Sequence, residues 1–204
     1  MRALLLIDLQ YDFCPGGALA VARGDETIPV ANRLIPRFTT IVATQDWHPK
    51  EHGSFAVNHP GTKPYDLGEL AGLPQVMWPA HCVQGTRGAE LHKKLDRNLI
   101  TEVFRKGTDP AIDSYSAFYD NGHRKSTGLG DWLKARDAHD LVILGLATDY
   151  CVKFTALDAR QLGFNVTVVS DGCRGVNLDP GDSDKAFAEM RAAGATVVDS
   201  AAIS

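Results

Sequence analysis

The sequence predicts an α/β protein of three layers, α/β/α, built on a central, mostly parallel six-stranded sheet. Three observations predict it. Apolar runs such as Ala3-Leu4-Leu5-Leu6-Ile7 and Leu141-Val142-Ile143-Leu144 lack the alternation of a half-exposed strand and suit strands buried on both faces. Such runs alternate with segments of helical period, the pattern of a parallel sheet covered by helices. The run 3–7 and a second β-branched run over 39–44 also lead into acids, Asp8 and Asp46, at the carboxyl ends of strands, where open parallel sheets bind ligands.

The elements follow in order. Arg2–Ile7 reads as the first strand, and a Gly/Pro-rich loop follows it (Cys14-Pro15-Gly16-Gly17). A helix is predicted over 25–38, with Ile28, Ala31, Ile35 and Phe38 on one face. Pro29 suits its first turn and Pro36 its end. Residues 39–44 are a second β-branched run. From Trp47 to about Leu95 the chain is rich in Gly, Pro and His and reads as loop; a stretch so long is usually functional. Further strands are predicted over 99–104, 140–146, 165–169 and 195–198. Short helical patterns fall over 130–136 and 150–162, the second closed by Gly163. Asp182 or Ser183 caps a last helix, with Phe187 and Met190 inward and Gly194 as its stop.

The 204 residues suit one domain, 1–204, with 44% hydrophobic and 23% charged residues. A net charge of −4 without any basic stripe argues against a nucleic-acid partner. The longest apolar run, 3–7, is far too short to cross a membrane. The N-terminus lacks the apolar stretch and cleavage site of a signal peptide, which predicts a cytoplasmic protein. The four cysteines, Cys14, Cys82, Cys151 and Cys173, are widely spaced and are expected as free thiols.

Asp8, Asp46, Lys106 and Cys151 each lie at or just after the end of a different predicted strand, so they should meet on one rim. Cys151 opens a predicted helix, where backbone N–H groups favour a thiolate and can hold an oxyanion. Asp8 would exchange a proton with that thiol and with a leaving amine. Lys106 would stabilise the charged state of both. Taken singly, each also has an ordinary reading, as a packed thiol, a loop-bonding Asp or a surface Lys. Asp46 and His48, two apart on extended chain, point the same way and can grip one metal ion. His81 would supply a third ligand, and His52 could approach directly or through water. An O/N/N set with open positions suits catalytic Zn²⁺, Fe²⁺ or Mn²⁺. Phe13, Trp78 and Tyr115 could form a flat apolar slot for an aromatic ring, or simply pack in the core.

Together these segments resemble the nicotinamidase branch of the isochorismatase-like cysteine hydrolases. The resemblance runs in order along nearly the whole chain. It rests on Leu6-Ile7-Asp8-Leu9-Gln10, Asp12-Phe13-Cys14-Pro15-Gly16-Gly17, Gln45-Asp46-Trp47-His48-Pro49, Trp78-Pro79-Ala80-His81-Cys82-Val83, Lys106-Gly107, Ser114-Tyr115-Ser116-Ala117-Phe118, Ala147-Thr148-Asp149-Tyr150-Cys151-Val152 and Ser170-Asp171-Gly172-Cys173-Arg174-Gly175. It implies an Asp8–Lys106–Cys151 triad and one divalent transition metal, zinc foremost, on Asp46, His48 and His81. His52 is an additional ligand in some relatives. It implies ring packing by Phe13 and Trp78. It also implies a cis Leu146–Ala147 peptide, with the N–H groups of Ala147 and Cys151 as oxyanion hole. Tyr11 departs from the family pattern, which has Asn there.

The expected reaction is hydrolysis of nicotinamide to nicotinate and ammonia through a cysteine thioester, with pyrazinamide as a second substrate, in NAD salvage. The expected partner is that small molecule, with homo-oligomerisation left open. The runner-up is a sister enzyme acting on a carbamoyl or ureido compound, a group that keeps the triad and lacks the metal trio. Cys151 disfavours an isochorismatase, which lacks the thiol. A non-catalytic binding protein on the same fold would not need every reactive side chain.

Overall fold

A computed structural model describes residues 1–203. Its eight strands are β1 (Arg2–Ile7), β2 (Thr40–Asp46), β3 (Leu67–Leu70), β4 (Leu73–Val76), β5 (Glu102–Lys106), β6 (Asp140–Leu146), β7 (Asn165–Arg174) and β8 (Thr196–Val198). The α-helices are α1 (Thr27–Leu34), α2 (Leu129–Lys134), α3 (Lys153–Gln161) and α4 (Asp182–Ala192). Six strands form one sheet in the order β5-β2-β1-β6-β7-β8. Every pairing in it is parallel, and helices flank it in the predicted α/β/α arrangement. The expected "mostly parallel" sheet is wholly parallel.

The central strands show why the sequence pattern works. Residues 3–7 of β1 and 141–146 of β6 are buried, because each strand has neighbours on both sides and layers on both faces. Burying one such Leu or Ile stabilises the fold by roughly 1.5–3 kcal/mol, so the middle of the sheet is where register is fixed most firmly. The chain passes from β1 to β2 and β5 on one side, then crosses to β6 on the other. Strand order therefore reverses between β1 and β6, and the crevice at their carboxyl ends is the expected place for a ligand. At that point the β6–β7 register shifts between Ile143 and Gly145. Gly145 has φ +136°, and a Cβ there would lie 2.1 Å from the Ile7 carbonyl oxygen. Only glycine lets β6 come this close to the end of β1.

Several boundaries differ from the sequence expectation. The helix predicted over 25–38 is α-helical only over Thr27–Leu34, with single 3₁₀ turns on either side. Pro36 has no N–H for a continuing helical bond. The strand predicted over 99–104 is displaced to 102–106, and Leu99 is half exposed. At a sheet edge, apolar content is a poor guide to pairing. β7 continues five residues past the predicted end at 169, through Ser170 and Asp171. The long stretch after Trp47 is mostly irregular, as expected, but contains the antiparallel hairpin β3–β4. That hairpin is largely solvent-exposed and carries Pro74, so it has neither an apolar stripe nor a clean alternation to announce it. The helix predicted to begin at 150 opens instead as a wide π-type turn, Thr148–Val152, before α3. Within α3 and this turn, Val152, Ala156 and Ala159 are buried as predicted. Among the described residues, no helix is long and apolar enough to cross a membrane.

Candidate functional site

Parallel register brings the reactive groups together. Asp46 ends β2 and lies beside Lys106, the last residue of β5. Asp8 follows β1, the next strand over, with φ +50°. The Thr44 hydroxyl donates to Asp8 Oδ1 at 2.6 Å, and the Asp8 N–H donates to Thr44 Oγ1 at 3.1 Å. Cys151 comes in from the turn after β6. Lys106 Nζ sits among all of them: 2.6 Å from Asp46 Oδ1, 2.9 Å from Asp8 Oδ2, 3.0 Å from the Ser114 carbonyl oxygen and 3.3 Å from Cys151 Sγ. The four groups predicted to share a rim do share it, and all four are buried.

Burial sets their electrostatics. Desolvation disfavours the Asp8 carboxylate and, opposed by Lys106, leaves its pKa raised. Desolvation also works against the ammonium of Lys106, but Asp46, Asp8 and Cys151 outweigh it and keep Lys106 charged. The Cys151 thiol is pushed well up by burial, with Lys106 pulling it down and Asp8 and Asp46 pushing it further up. The sequence suggested a thiolate favoured by a helix start. The structure instead places a thiol within a cluster that already holds two carboxylates on one cation.

The metal trio assembles on the other side of Asp46. His48 Nε2 and His81 Nε2 lie 3.7 Å and 3.9 Å from Asp46 Oδ2. These separations are too long for hydrogen bonds. They match two ligands that each stand roughly 2.0–2.2 Å from a shared ion. His48 Nδ1 faces the Gly107 carbonyl at 2.8 Å, and His81 Nδ1 faces that of Pro79 at 2.8 Å. Each carbonyl accepts a hydrogen bond from Nδ1–H, which leaves Nε2 as the lone-pair nitrogen aimed at Asp46. The donor set therefore fits a divalent transition metal, and the three donor atoms lie within 4.8 Å of one another. Gln10 holds Asp46 from behind, accepting its N–H at 2.9 Å and donating to its carbonyl at 2.8 Å. His52 stacks near His48, with ring centroids 4.3 Å apart. Gly107, at φ +62°, leaves room for His48: a Cβ would lie 2.3 Å from the His48 ring.

A small cavity opens beside these groups. Phe13, Trp78 and Tyr115, singled out from the sequence, line it with Cys151, Ala147 and the metal trio. The Trp78 indole N–H donates to Tyr115 Oη at 3.2 Å. Tyr150, Leu19, Val176 and Asp113 also line it, and sequence reasoning had not assigned them. Tyr150 had a signal, its place directly before Cys151; its ring meets Trp78 edge-on at 4.9 Å. Val176 is positioned by Asp149, whose carboxylate accepts the N–H groups of Val176 and Asn177 at 2.9 and 2.7 Å. Leu146–Ala147 is a cis peptide, as the resemblance implied. Tyr11, the departure from the family pattern, packs away from the cavity. Its ring meets His92 and the Arg87 guanidinium, and its hydroxyl accepts the Lys93 N–H.

Fold and site together define a hydrolase of α/β/α architecture whose pocket lies at the switch point of a parallel sheet. The chain belongs to the isochorismatase family, whose domain matches residues 2–202. It is 60% identical over 200 residues to the nicotinamidase of Escherichia coli K12, covering 96% of this chain and 93% of that protein. A solved nicotinamidase/pyrazinamidase from Acinetobacter baumanii superposes with a TM-score of 0.95 at 44% identity, covering 98% of this chain and 96% of that one. A pyrazinamidase from Pyrococcus horikoshii, solved in complex with zinc, superposes with a TM-score of 0.78 at 37% identity, covering 97% and 98%.

Proposed function

We propose that this chain is a nicotinamidase, hydrolysing nicotinamide to nicotinate and ammonia, with pyrazinamide as a second substrate, and so serving NAD salvage. The observation that carries the proposal is the Lys106 ammonium, placed 2.9 Å from Asp8 and 3.3 Å from Cys151, the thiol that lines the aromatic-walled cavity. The similarity to nicotinamidases along almost the whole chain supports the substrate. The reading gives Cys151 the role of nucleophile. Its Sγ attacks the carboxamide carbon as its proton passes to Asp8. The N–H groups of Ala147 and Cys151 receive the oxyanion. Asp8 then gives this proton to the leaving amide nitrogen, which departs as ammonia. In the second half Asp8 takes a proton from the water that attacks the thioester and returns it to Cys151 Sγ, so one carboxylate serves as base and acid in each half. Lys106 stays charged throughout and holds Asp8 in place beside Cys151. Phe13, Trp78 and Tyr115 clasp the flat ring and exclude water from its faces.

Asp46, His48 and His81 would hold the metal, and zinc suits this donor set. When bound, the ion supplies a Lewis acid for the pyridine nitrogen, directly or through water, and so orients the ring. Four free thiols are in keeping with a cytoplasmic location. The test is ammonia release across a panel of amides. Nicotinamide and pyrazinamide should turn over much faster than aliphatic amides or ureas. Faster turnover of a carbamoyl or ureido compound than of nicotinamide would transfer the assignment to that sister class.

A further inference from the structure

His52 is wholly buried, and its Nε2 makes no well-formed hydrogen bond among the described residues, the Ile112 backbone being the polar group nearest to pairing with this ring. A buried polar nitrogen without a partner costs about 1–3 kcal/mol, so its surroundings should supply one. Its other nitrogen is accounted for by Ser54 Oγ at 2.8 Å. The donor atoms of His52, His48 and Asp113 lie within 4.8 Å of one another, and all three residues are buried. The Asp46–His48–His81 set is spaced in the same way, so His48 belongs to both groups. His52 and Asp113 do not join Asp46 and His81 in one larger group of that spacing, so they flank the trio rather than extend it.

Asp113 is held at both carboxylate oxygens. The Ser114 N–H donates to its Oδ1 at 2.7 Å, and Gln75 Nε2 donates to its Oδ2 at 3.0 Å. Each carboxylate oxygen keeps a further lone pair. Asp113 also lines the cavity, although no sequence motif pointed to it. An orphan nitrogen, a carboxylate with spare acceptors and an ion with open positions are the partners an ordered water needs.

We propose that His52 and Asp113 form an outer shell of the metal site and together hold a water molecule on the ion. The proposal rests on the metal reading of Asp46, His48 and His81. Asp113 accepts a hydrogen bond from that water and adds negative charge near the ion, while His52 fixes the water's position. Partners of this kind contribute roughly 10–100-fold to metal affinity. Gln75 lies on β4, so the hairpin that the sequence did not announce helps to hold the metal site through Asp113.

The test is metal affinity rather than turnover. Zn²⁺ binding is measured by competition with a chromophoric chelator, and Co²⁺ serves as an absorption probe. Asp113→Asn and His52→Gln should each weaken Zn²⁺ binding about tenfold and shift the Co²⁺ bands. Because both hold one water, the double variant should lose little more than the worse single variant. Wild-type Zn²⁺ affinity and Co²⁺ spectrum in both single variants would overturn the proposal, as would fully additive losses. If Asp113→Asn fails to fold, His52→Gln decides alone. Failure of the wild-type protein to bind either ion would instead refute the metal reading beneath it, a separate outcome.

Discussion

Among the described residues, Lys106 is the only cation within contact of both buried carboxylates Asp8 and Asp46, and its own side chain is fully buried. Lys106→Met keeps the length and the apolar stem, so packing changes little. What is lost is the counter-charge. Removing one partner of a buried ion pair costs about 3–5 kcal/mol, and here two carboxylates are abandoned, so about 4 kcal/mol at pH 8 is expected. The protein can relieve this cost by protonating Asp8. The pKa of Asp8 is already raised in the native state, and Lys106 is the largest influence pulling it down. In the variant it rises further. A carboxyl whose folded pKa exceeds its unfolded value binds more protons when folded, so stability falls as pH rises above the unfolded value. The penalty should therefore shrink on acidification, by at most about 1.4 kcal/mol per pH unit for one proton. Urea unfolding of metal-free wild type and variant at pH 8 and pH 5.5 measures both quantities. A loss below about 1 kcal/mol at pH 8, or one that does not change with pH, would refute the account of Lys106 as the counter-ion of this cluster.

Other outcomes follow from the same geometry. Cys151→Ala should lower turnover at least a thousandfold with the fold intact, since no other thiol lines the cavity; appreciable residual turnover would favour direct attack by a metal-activated water. At pH 7.5 Cys14 and Cys173, whose pKa values burial pushes up to about 11 and about 12, should resist alkylation in the native protein, as mass spectrometry of labelled peptides would show. His48 has a raised pKa because the Asp46 carboxylate outweighs its burial. A proton there competes with the ion for Nε2, so apparent Zn²⁺ affinity should climb with pH, up to tenfold per unit, until His48 is neutral; a flat profile in chelator competition would remove His48 from the ligand set. Gly107→Ala forces a Cβ to within 2.3 Å of the His48 ring at a φ of +62°. It should destabilise the protein by at least about 1 kcal/mol and weaken metal binding, whereas an unchanged Zn²⁺ affinity would mean that the loop moves aside freely.

The sequence disclosed the sheet interior best. β1 and β6 were read at their observed bounds, because a strand buried on both faces writes its burial into every residue. Edges were less legible: β5 is mostly exposed, and its pairing with β2 depends on backbone bonds that leave no apolar signature. The rim groups were legible because parallel topology gathers strand ends whatever their separation in sequence. Asp113 and Gln75 were not. A buried Gln on a polar hairpin and an Asp in an irregular loop look like solvent-facing residues until the fold brings them together.

The position of Lys106 bears on how the protein would wear out. Its strand is one of the two edges of the sheet, joined to β2 alone, and Glu102, Val103 and Arg105 face solvent. Outer strands open first in native-state hydrogen exchange, well before the whole chain unfolds. Here the last residue of such a strand is tied by its side chain into the innermost cluster of the molecule, as a rivet fastens a loose plank. While the rivet holds, the edge is kept from fraying at its carboxyl end. When the strand does lift, the proposed thiol and its acid lose their shared cation at once. Amide exchange of β5 and loss of amidase activity in sub-denaturing urea should therefore advance together, ahead of any change in the exchange of β1 and β6.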